Sequence, residues 1–286
     1  MQNPLVSVII PAYNHEKYIL AALESVINQS YKNIQLIVIN DGSKDKTANI
    51  IQSFVNSHID RDILFINKVN EGVSKTLNLG LSKVEGCYVA FLASDDFWEL
   101  DKMEKQVKYL EMHPENSMVF TDAYILYEDN FINHKWSQYK PELRKLFNSG
   151  TQNKNLYSEL MIHTVIPAST VTLKMSSILK VGGFDPKLAI EDDDLWWRIA
   201  REFPIGYLDE PLAFYREHAN NISKNSFYML KGYLLALRKH FKEPPLLGKP
   251  FVQLGILIRV GINLFFKRIK RILYYNSIKI SKRHLN

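Results

Sequence analysis

Over the first 120 residues, short apolar runs alternate with stretches of helical period. Val6-Ser7-Val8-Ile9-Ile10 is β-branched and is followed by Pro11, which predicts a buried strand opening into the loop Pro11-Ala12-Tyr13-Asn14. Amphipathic spacing from about Lys17 to Gln29 predicts a helix. A second apolar run, Ile34 to Ile39, ends in the turn Asn40-Asp41-Gly42-Ser43, and a further helix is expected from about Thr47 to Val55. Two more apolar runs, Ile63 to Ile66 and Tyr88 to Leu92, flank a helical stretch from about Val73 to Leu81. Later helices are expected from about Asp101 to Met112 and from Leu195 to Glu202. This β-α-β-α order predicts an α/β fold with a mostly parallel central sheet covered by helices on both faces. Ligands of such sheets bind beyond the carboxyl ends of the strands, where Tyr13, Asp41 and Asp95-Asp96 fall.

The usual nucleotide signatures are absent. No G-x-G-x-x-G follows the first strand and no G-x-x-x-x-G-K-[ST] occurs anywhere, which argues against a nicotinamide dehydrogenase or a P-loop ATPase. The strand ends offer instead an aromatic ring for a base (Tyr13), a carboxylate able to accept from a base N–H (Asp41) and an acidic pair for a metal on a diphosphate. The lone cysteine, Cys87, excludes an intramolecular disulfide framework. Met1-Gln2-Asn3-Pro4 has no basic leader, so a cytosolic catalytic domain is expected.

Charge is unevenly placed. After residue 237 there are twelve Lys and Arg against one acid, Glu243, so the preceding residues are net negative although the whole chain is +6. On a helix, Arg259, Asn263, Lys267, Lys270 and Arg271 share one face, while Leu254, Leu257, Ile258, Leu264, Phe265, Ile269 and Ile272 cover the rest. The segment from Phe251 to Phe266 is shorter than the ~20 apolar residues of a membrane span, and is expected to lie on a membrane surface. Its alternatives are a packed helix or a dimer contact. A basic tail beside an acidic domain suits an anionic inner leaflet better than nucleic acid, so no nucleic-acid partner is expected. The division expected is residues 1–223 as the catalytic domain and 224–286 as a helical, basic amphipathic region.

Two acidic sites stand about 100 residues apart: Asp95-Asp96, and Glu191-Asp192-Asp193-Asp194 running into Leu195-Trp196-Trp197-Arg198. One can hold a divalent cation and the other can offer a general base, the division that metal-assisted group transfer needs. The plainer reading of the second cluster is a helix cap complementing the dipole.

Seven ordered segments carry a resemblance. Val-Ser-Val-Ile-Ile-Pro-Ala-Tyr-Asn at 6–14, Asn-Asp-Gly-Ser-x-Asp at 40–45, Asn-x-Gly-x-Ser at 70–74 with Asn78, and Ser-Asp-Asp at 94–96 come first. Gly-Gly-Phe-Asp at 182–185, Glu-Asp-x-Asp-Leu-Trp at 191–196 and Tyr-Arg-x-His at 215–218 follow. Together they resemble the family 2 glycosyltransferases. The resemblance implies the GT-A fold, a nucleotide-diphosphate sugar donor, Mg²⁺ or Mn²⁺, and transfer with inversion at the sugar C1.

Carried onto this chain, the pattern implies a donor base near Pro11, Tyr13 and Asp41, with Asn70, Gly72 and Asn78 along the ribose and diphosphate. Asp95 and Asp96 are implied as metal ligands, Asp95 also facing the donor, with His218 as a further ligand or diphosphate contact and Arg216 alongside. Asp192 is implied as the general base, with Glu191 and Asp194 supporting it or capping the helix. Trp196 or Trp197 would stack on an acceptor sugar, at least one of the pair being core. Gly182 to Asp185 would form a loop near the acceptor. Two positions depart from the pattern: Leu77 replaces an arginine, for which Lys75 is the expected substitute, and Ala93 replaces the first acid of the metal motif. The remaining carboxylates suffice for an ion shared with phosphates and water.

The expected function is transfer from a UDP-sugar or dTDP-L-rhamnose to a lipid-linked glycan of a surface polysaccharide such as an O-antigen or capsule. The enzyme is expected to sit peripherally on the inner face of the membrane. The alternative, prompted by Ala93, is a non-catalytic nucleotide- or glycan-binding module of a synthesis complex.

Overall fold

A computed structural model describes residues 3–127, 130–147, 156–188, 190–219, 221–243, 245–246 and 248–261. The apolar runs become β1 (Val6–Ala12), β2 (Ile34–Asp41), β3 (Ile63–Lys68) and β4 (Tyr88–Phe91), interleaved with α1 (Ile19–Ile27), α2 (Thr47–Ser57) and α3 (Val73–Leu81). Strands β3-β2-β1-β4 pair in parallel. Their runs are apolar at successive positions because both faces are covered. Val6, Val8 and Ile10 meet α1, α2 and α4 (Lys102–Met112), while Ile9, Ile37, Ile39 and Phe91 meet α3 and the C-terminal helices. Each such side chain fully buried contributes about 1.5–3 kcal/mol.

Beyond β4 the sheet becomes mixed. In chain order follow β5 (Phe97–Trp98), β6 (Met118–Tyr127), β7 (Asn130–Lys135), α5 (Trp136–Tyr139), α6 (Pro141–Phe147) and α7 (Leu156–Ile162). After them come β8 (Val171–Lys174), α8 (Met175–Val181), α9 (Glu191–Glu202), β9 (Ile205–Glu217) and α10 (Ser226–His240). The order continues β4-β8-β6-β9-β5, with β7 on β6; β8 runs antiparallel to both neighbours and β9 parallel to β6.

Three details shape the site. Strand β1 does not stop at Pro11 but continues to Ala12, pairing with Ile39 and Asn40. Ile9 turns its carbonyl toward β4, accepting from Leu92, and Pro11 shares that side, where β4 has already ended, so its missing N–H breaks no ladder bond. Helix α3 lies close on β1 at Gly80, where a Cβ would stand 2.7 Å from Ile9 Cγ2. Finally, α9 starts at Glu191 rather than Leu195, so the four acids form its first turn, where they complement the helix dipole.

The core crosses the 223/224 boundary. Tyr233, Ala236 and Leu237 of α10, with Leu246, Ile256 and Val260, share one apolar cluster with α7 and α9. Residues 250–261 are helical; Asn263, Leu264, Phe265, Lys267, Ile269, Lys270, Arg271 and Ile272 of the expected amphipathic tail lie outside the described residues.

Candidate active site

The antiparallel pairing of β5 with β9, Phe97 opposite Phe214 and Trp98 opposite Ala213, sets the two halves of the site in register. It carries Asp95-Asp96 alongside Arg216, whose backbone N–H donates to Asp96 Oδ1 (2.8 Å) and whose Nε donates to the Asp95 carbonyl (2.8 Å). The Arg216 guanidinium lies over the rings of Tyr18 (4.8 Å) and Phe97 (5.6 Å). One residue past the strand, His218 stacks on Tyr18 with ring centroids 4.9 Å apart and places Nε2 3.0 Å from Asp95 Oδ2.

His15, which the sequence did not single out, completes this cluster. Its Nδ1 meets Ser94 Oγ at 2.7 Å, which turns Nε2 toward Asp95 Oδ2 at 4.0 Å. One ligating atom each from His15, Asp95 and His218 lie within 4.8 Å of one another. Burial lowers the His15 pKa, against the opposing pull of Asp95, and so favours the neutral imidazole that a metal requires. Two imidazoles and a carboxylate, one ring held from behind by a hydroxyl, fit a divalent transition ion.

Asp96 stands apart from this group. Its carboxylate is 3% exposed and is taken up inside the protein, Oδ1 by the Arg216 N–H and Oδ2 by the Ser169 hydroxyl (2.5 Å). Burial and the neighbouring Asp95 charge push its pKa well above the usual carboxylate range. The side chain fixes the strand end instead of turning toward the His15 cluster.

At the carboxyl end of β2, Asp41 sits directly opposite Lys68 on β3. Its carboxylate accepts from the Lys68 ammonium (2.5 Å) and from the N–H groups of Glu71 (2.9 Å) and Gly72 (3.0 Å). Burial raises its pKa, but the Lys68 bond and the Glu71 N–H outweigh that and hold it below the ordinary value. Asp41 therefore shapes the loop into α3. Gly72 takes φ +90 there, a conformation costly for other residues, with open space where a Cβ would be. Asn70 and Gly72 are exposed on this loop, and Tyr13 is exposed on the loop after β1. Lys75, the expected substitute cation, points outward to Glu71 (3.5 Å); Lys68, which the sequence reading passed over, is the cation beside Asp41.

Asn78 has a different employment from the one expected. Its side chain brackets the backbone of Phe184, donating to the carbonyl (2.8 Å) and accepting from the N–H (2.9 Å). It thereby ties α3 to the Gly182–Asp185 loop. Arg198 of α9 holds the same loop through the carbonyls of Val181 (2.8 Å), Gly182 (2.7 Å) and Gly183 (2.7 Å). Asp194 in turn holds Arg198 and is fully buried, also receiving His240 and Lys239. Both tryptophans after it are core: Trp196 lies near Phe91 and Trp197 against Tyr233 and His240, neither with a face for an acceptor sugar.

Glu191 and Asp192 are half-buried at the start of α9. Burial and the adjacent Asp192 charge push the Glu191 pKa up to about 8, while burial raises that of Asp192. The site thus combines an imidazole–carboxylate cluster at the ends of β4 and β9 with a carboxylate pair on α9. The Gly182–Asp185 loop is anchored to both α3 and α9.

The sequence profile described as Glycosyl transferase family 2 matches residues 7–172. The chain belongs to this family. An uncharacterized glycosyltransferase of Rickettsia prowazekii is 31% identical over 232 residues, covering 81% of this chain and 70% of that protein. The Escherichia coli UDP-Glc:alpha-D-GlcNAc-diphosphoundecaprenol beta-1,3-glucosyltransferase WfaP is 30% identical over 224 residues, covering 78% and 81%. Among solved structures, Staphylococcus aureus TarS 1–349 with UDP-GlcNAc superposes with a TM-score of 0.68 at 18% identity over 89% of this chain and 72% of that one. The Pyrobaculum calidifontis mannosyltransferase PcManGT with GDP-Man and Mn²⁺ gives 0.69 at 16% identity over 92% and 75%. The fold of this glycosyltransferase is GT-A, the curled mixed sheet flanked by helices that these neighbours share.

Proposed function

We propose that this glycosyltransferase moves a sugar from a UDP-sugar to a hydroxyl of a lipid-linked glycan, with inversion at C1 and Asp192 as general base. The observation that carries this reading is the cation-competent cluster of His15, Asp95 and His218 at the strand ends of a GT-A fold, and the carboxylates that open α9 are the candidates for the base. Nucleotide contacts would come from Pro11, Tyr13 and the loop that Asp41 holds, including Asn70 and Gly72, with Lys68 and Arg216 supplying positive charge nearby. UDP is favoured over dTDP because WfaP is named for UDP-glucose and TarS was solved with UDP-GlcNAc. The diphosphoundecaprenol acceptor of WfaP supports a lipid-linked acceptor in surface-polysaccharide assembly at the inner face of the membrane. No helix among the described residues is long and apolar enough to cross a bilayer.

In the transfer, the acceptor oxygen bonds to C1 as the C1–O bond to the diphosphate breaks, and the hydroxyl proton passes to Asp192. Burial raises the pKa of both Glu191 and Asp192, so protons on this pair belong to the two carboxyls together, and the transfer uses the form in which Asp192 is ionised. An ion held by His15, Asp95 and His218 would supply charge neutralisation to the departing diphosphate. The nitrogen-rich donor set favours Mn²⁺ over Mg²⁺, which prefers oxygen ligands. The non-catalytic alternative drew on the loss of an acid at Ala93, and His15 offsets that loss with a ligand from a different loop.

The test is a thermal-shift panel of UDP-, GDP- and dTDP-sugars with and without Mn²⁺. A ligand at 100 times its Kd adds about 2.7 kcal/mol, so a UDP-sugar with Mn²⁺ should raise Tm clearly while the other nucleotides do so less. A panel in which no nucleotide sugar moves Tm contradicts the proposal.

A further inference from the structure

We infer that α10, with the helical residues 250–261 that follow it, carries the face with which the catalytic domain docks on anionic lipid. The inference rests on the lipid-linked acceptor proposed above and names the surface that brings the enzyme to it. Helix α10 buries Tyr233, Ala236, Leu237 and His240 against α7 and α9. Its opposite side would ordinarily be polar. Instead Phe227, Leu230 and Leu234, three and four residues apart and so on one stripe, face outward, Phe227 with 80% of its surface exposed. Tyr228 and Leu235 extend the apolar surface on the adjacent stripe, which also carries Lys231 and Arg238.

Charge selects the occupant. Helix α10 contains no acid, and from 226 to 261 six Lys and Arg meet the single acid Glu243. An apolar stripe edged with cations matches the boundary of an anionic bilayer, where the rings and leucines enter the acyl region and the cations meet headgroups. A two-fold contact between copies of this chain would bring two such basic edges together, which like charges oppose. The surface continues past α10. Gln253 Nε2 donates to the carbonyls of Phe241 (3.1 Å) and Leu246 (2.8 Å), fastening helical residues 250–261 near its C-terminal end, and these expose Phe251, Leu254 and Ile258 while burying Ile256 and Val260. On the inward side, Lys239 and His240 bond to Asp194, so a docked α10 stands directly behind the turn that carries Asp192.

Sedimentation of the full chain with vesicles tests this. The vesicles contain phosphatidylglycerol and phosphatidylcholine in equal parts, or phosphatidylcholine alone, and hydrolysis of UDP-sugar by water is followed in parallel. The combined variant Phe227→Ser, Leu230→Ser, Leu234→Ser should lose about tenfold or more of its partitioning, since each side chain withdraws apolar area from the bilayer. Lys231→Glu with Arg238→Glu should abolish the preference for phosphatidylglycerol. Leu179→Ser, at a more exposed leucine on α8, should change neither, and hydrolysis should persist in all. The inference is overturned if the triple variant sediments like the wild type, or if wild-type protein that hydrolyses UDP-sugar ignores anionic vesicles. A wild-type dimer that the triple variant converts to monomer also overturns it, assigning the face to a second copy. Wild-type protein that binds vesicles but neither binds nor hydrolyses any nucleotide sugar counts instead against the proposed transferase reaction and leaves the docking face standing.

Discussion

Asp194→Ala separates a structural anchor from a helix cap. As a cap or dipole partner in the first turn of α9, Asp194 would be worth about 1 kcal/mol. The structure gives it far more to do. Oδ2 accepts from Arg198 Nε (2.9 Å) and Nη2 (2.8 Å), and Oδ1 from His240 Nε2 (2.9 Å) and Lys239 Nζ (3.0 Å), all with the carboxylate wholly buried. Burial raises its pKa, yet His240, Arg198 and Lys239 outweigh that and hold it well below the usual range. Its stabilisation is therefore fully present above the ordinary carboxylate pKa and is lost only as pH falls through the depressed value. Removing the carboxylate strands the Arg198 guanidinium in the interior, while Lys239 keeps Asp185 at 2.9 Å as a partial substitute. Breaking a buried pair of this kind costs about 3–5 kcal/mol, a large part of a total of roughly 5–15 kcal/mol. Urea unfolding should show that loss with an unchanged m-value, and Asp194→Asn, which keeps an acceptor, should lose less. An Asp194→Ala protein within about 1 kcal/mol of wild type would return the residue to a capping role and refute the anchor.

Three further outcomes are expected. Burial lowers the His240 pKa below 6.5 despite Asp194, which fits a neutral ring donating from Nε2 to Asp194 and accepting at Nδ1 from Tyr157 (2.8 Å). The unfolded chain then binds the extra proton, so the contribution of His240 is fully present above the unfolded pKa and is lost as pH drops below about 6.5; the Tm difference between wild type and His240→Gln should change over that range, while the contributions of His15 and Glu191, common to both proteins, cancel. His15→Ala should raise the Mn²⁺ concentration needed for half-maximal donor binding by about 10–100-fold, whereas Asp96→Asn should act mainly on Tm; equal metal dependence in wild type and His15→Ala contradicts the cluster. Asn78→Ala, which frees the Phe184 backbone, should raise KM for the acceptor more than the Kd of the donor, and steady-state kinetics showing the reverse would restore Asn78 to the diphosphate.

The parallel half of the sheet was legible because its strands are unbroken apolar runs set off by turn residues, and Val73 to Leu81 came out as the helix observed. The other half was not, for physical reasons. Strand β8 has only four residues, and β9 carries Asp209, Glu210 and Pro211 in its middle, which hides a thirteen-residue strand from any pattern of burial. Asp95 and His218, which the structure brings together, were singled out through their motifs. His15 was not, since a lone histidine after a turn carries no signal until β9 brings His218 to Asp95. Lys68 becomes visible only through the register that sets it opposite Asp41, and the true partner of Asn78 lies 106 residues away. Trp196 and Trp197 illustrate the opposite error, since aromatics beside an acidic cluster invite a sugar-binding role that their complete burial excludes.

The central claim is that Asp192 takes the acceptor proton, and Asp192→Asn tests it most directly. The side chain keeps its size and its Oδ1 acceptor for the Asp193 N–H (2.8 Å) but loses its basicity. UDP-sugar affinity with Mn²⁺, measured by calorimetry, should be nearly unchanged, while single-turnover transfer to a diphosphoundecaprenol-linked sugar falls by ~10² to 10⁴, the usual contribution of a positioned base. Transfer at close to the wild-type rate would remove Asp192 from the chemistry and contradict the account.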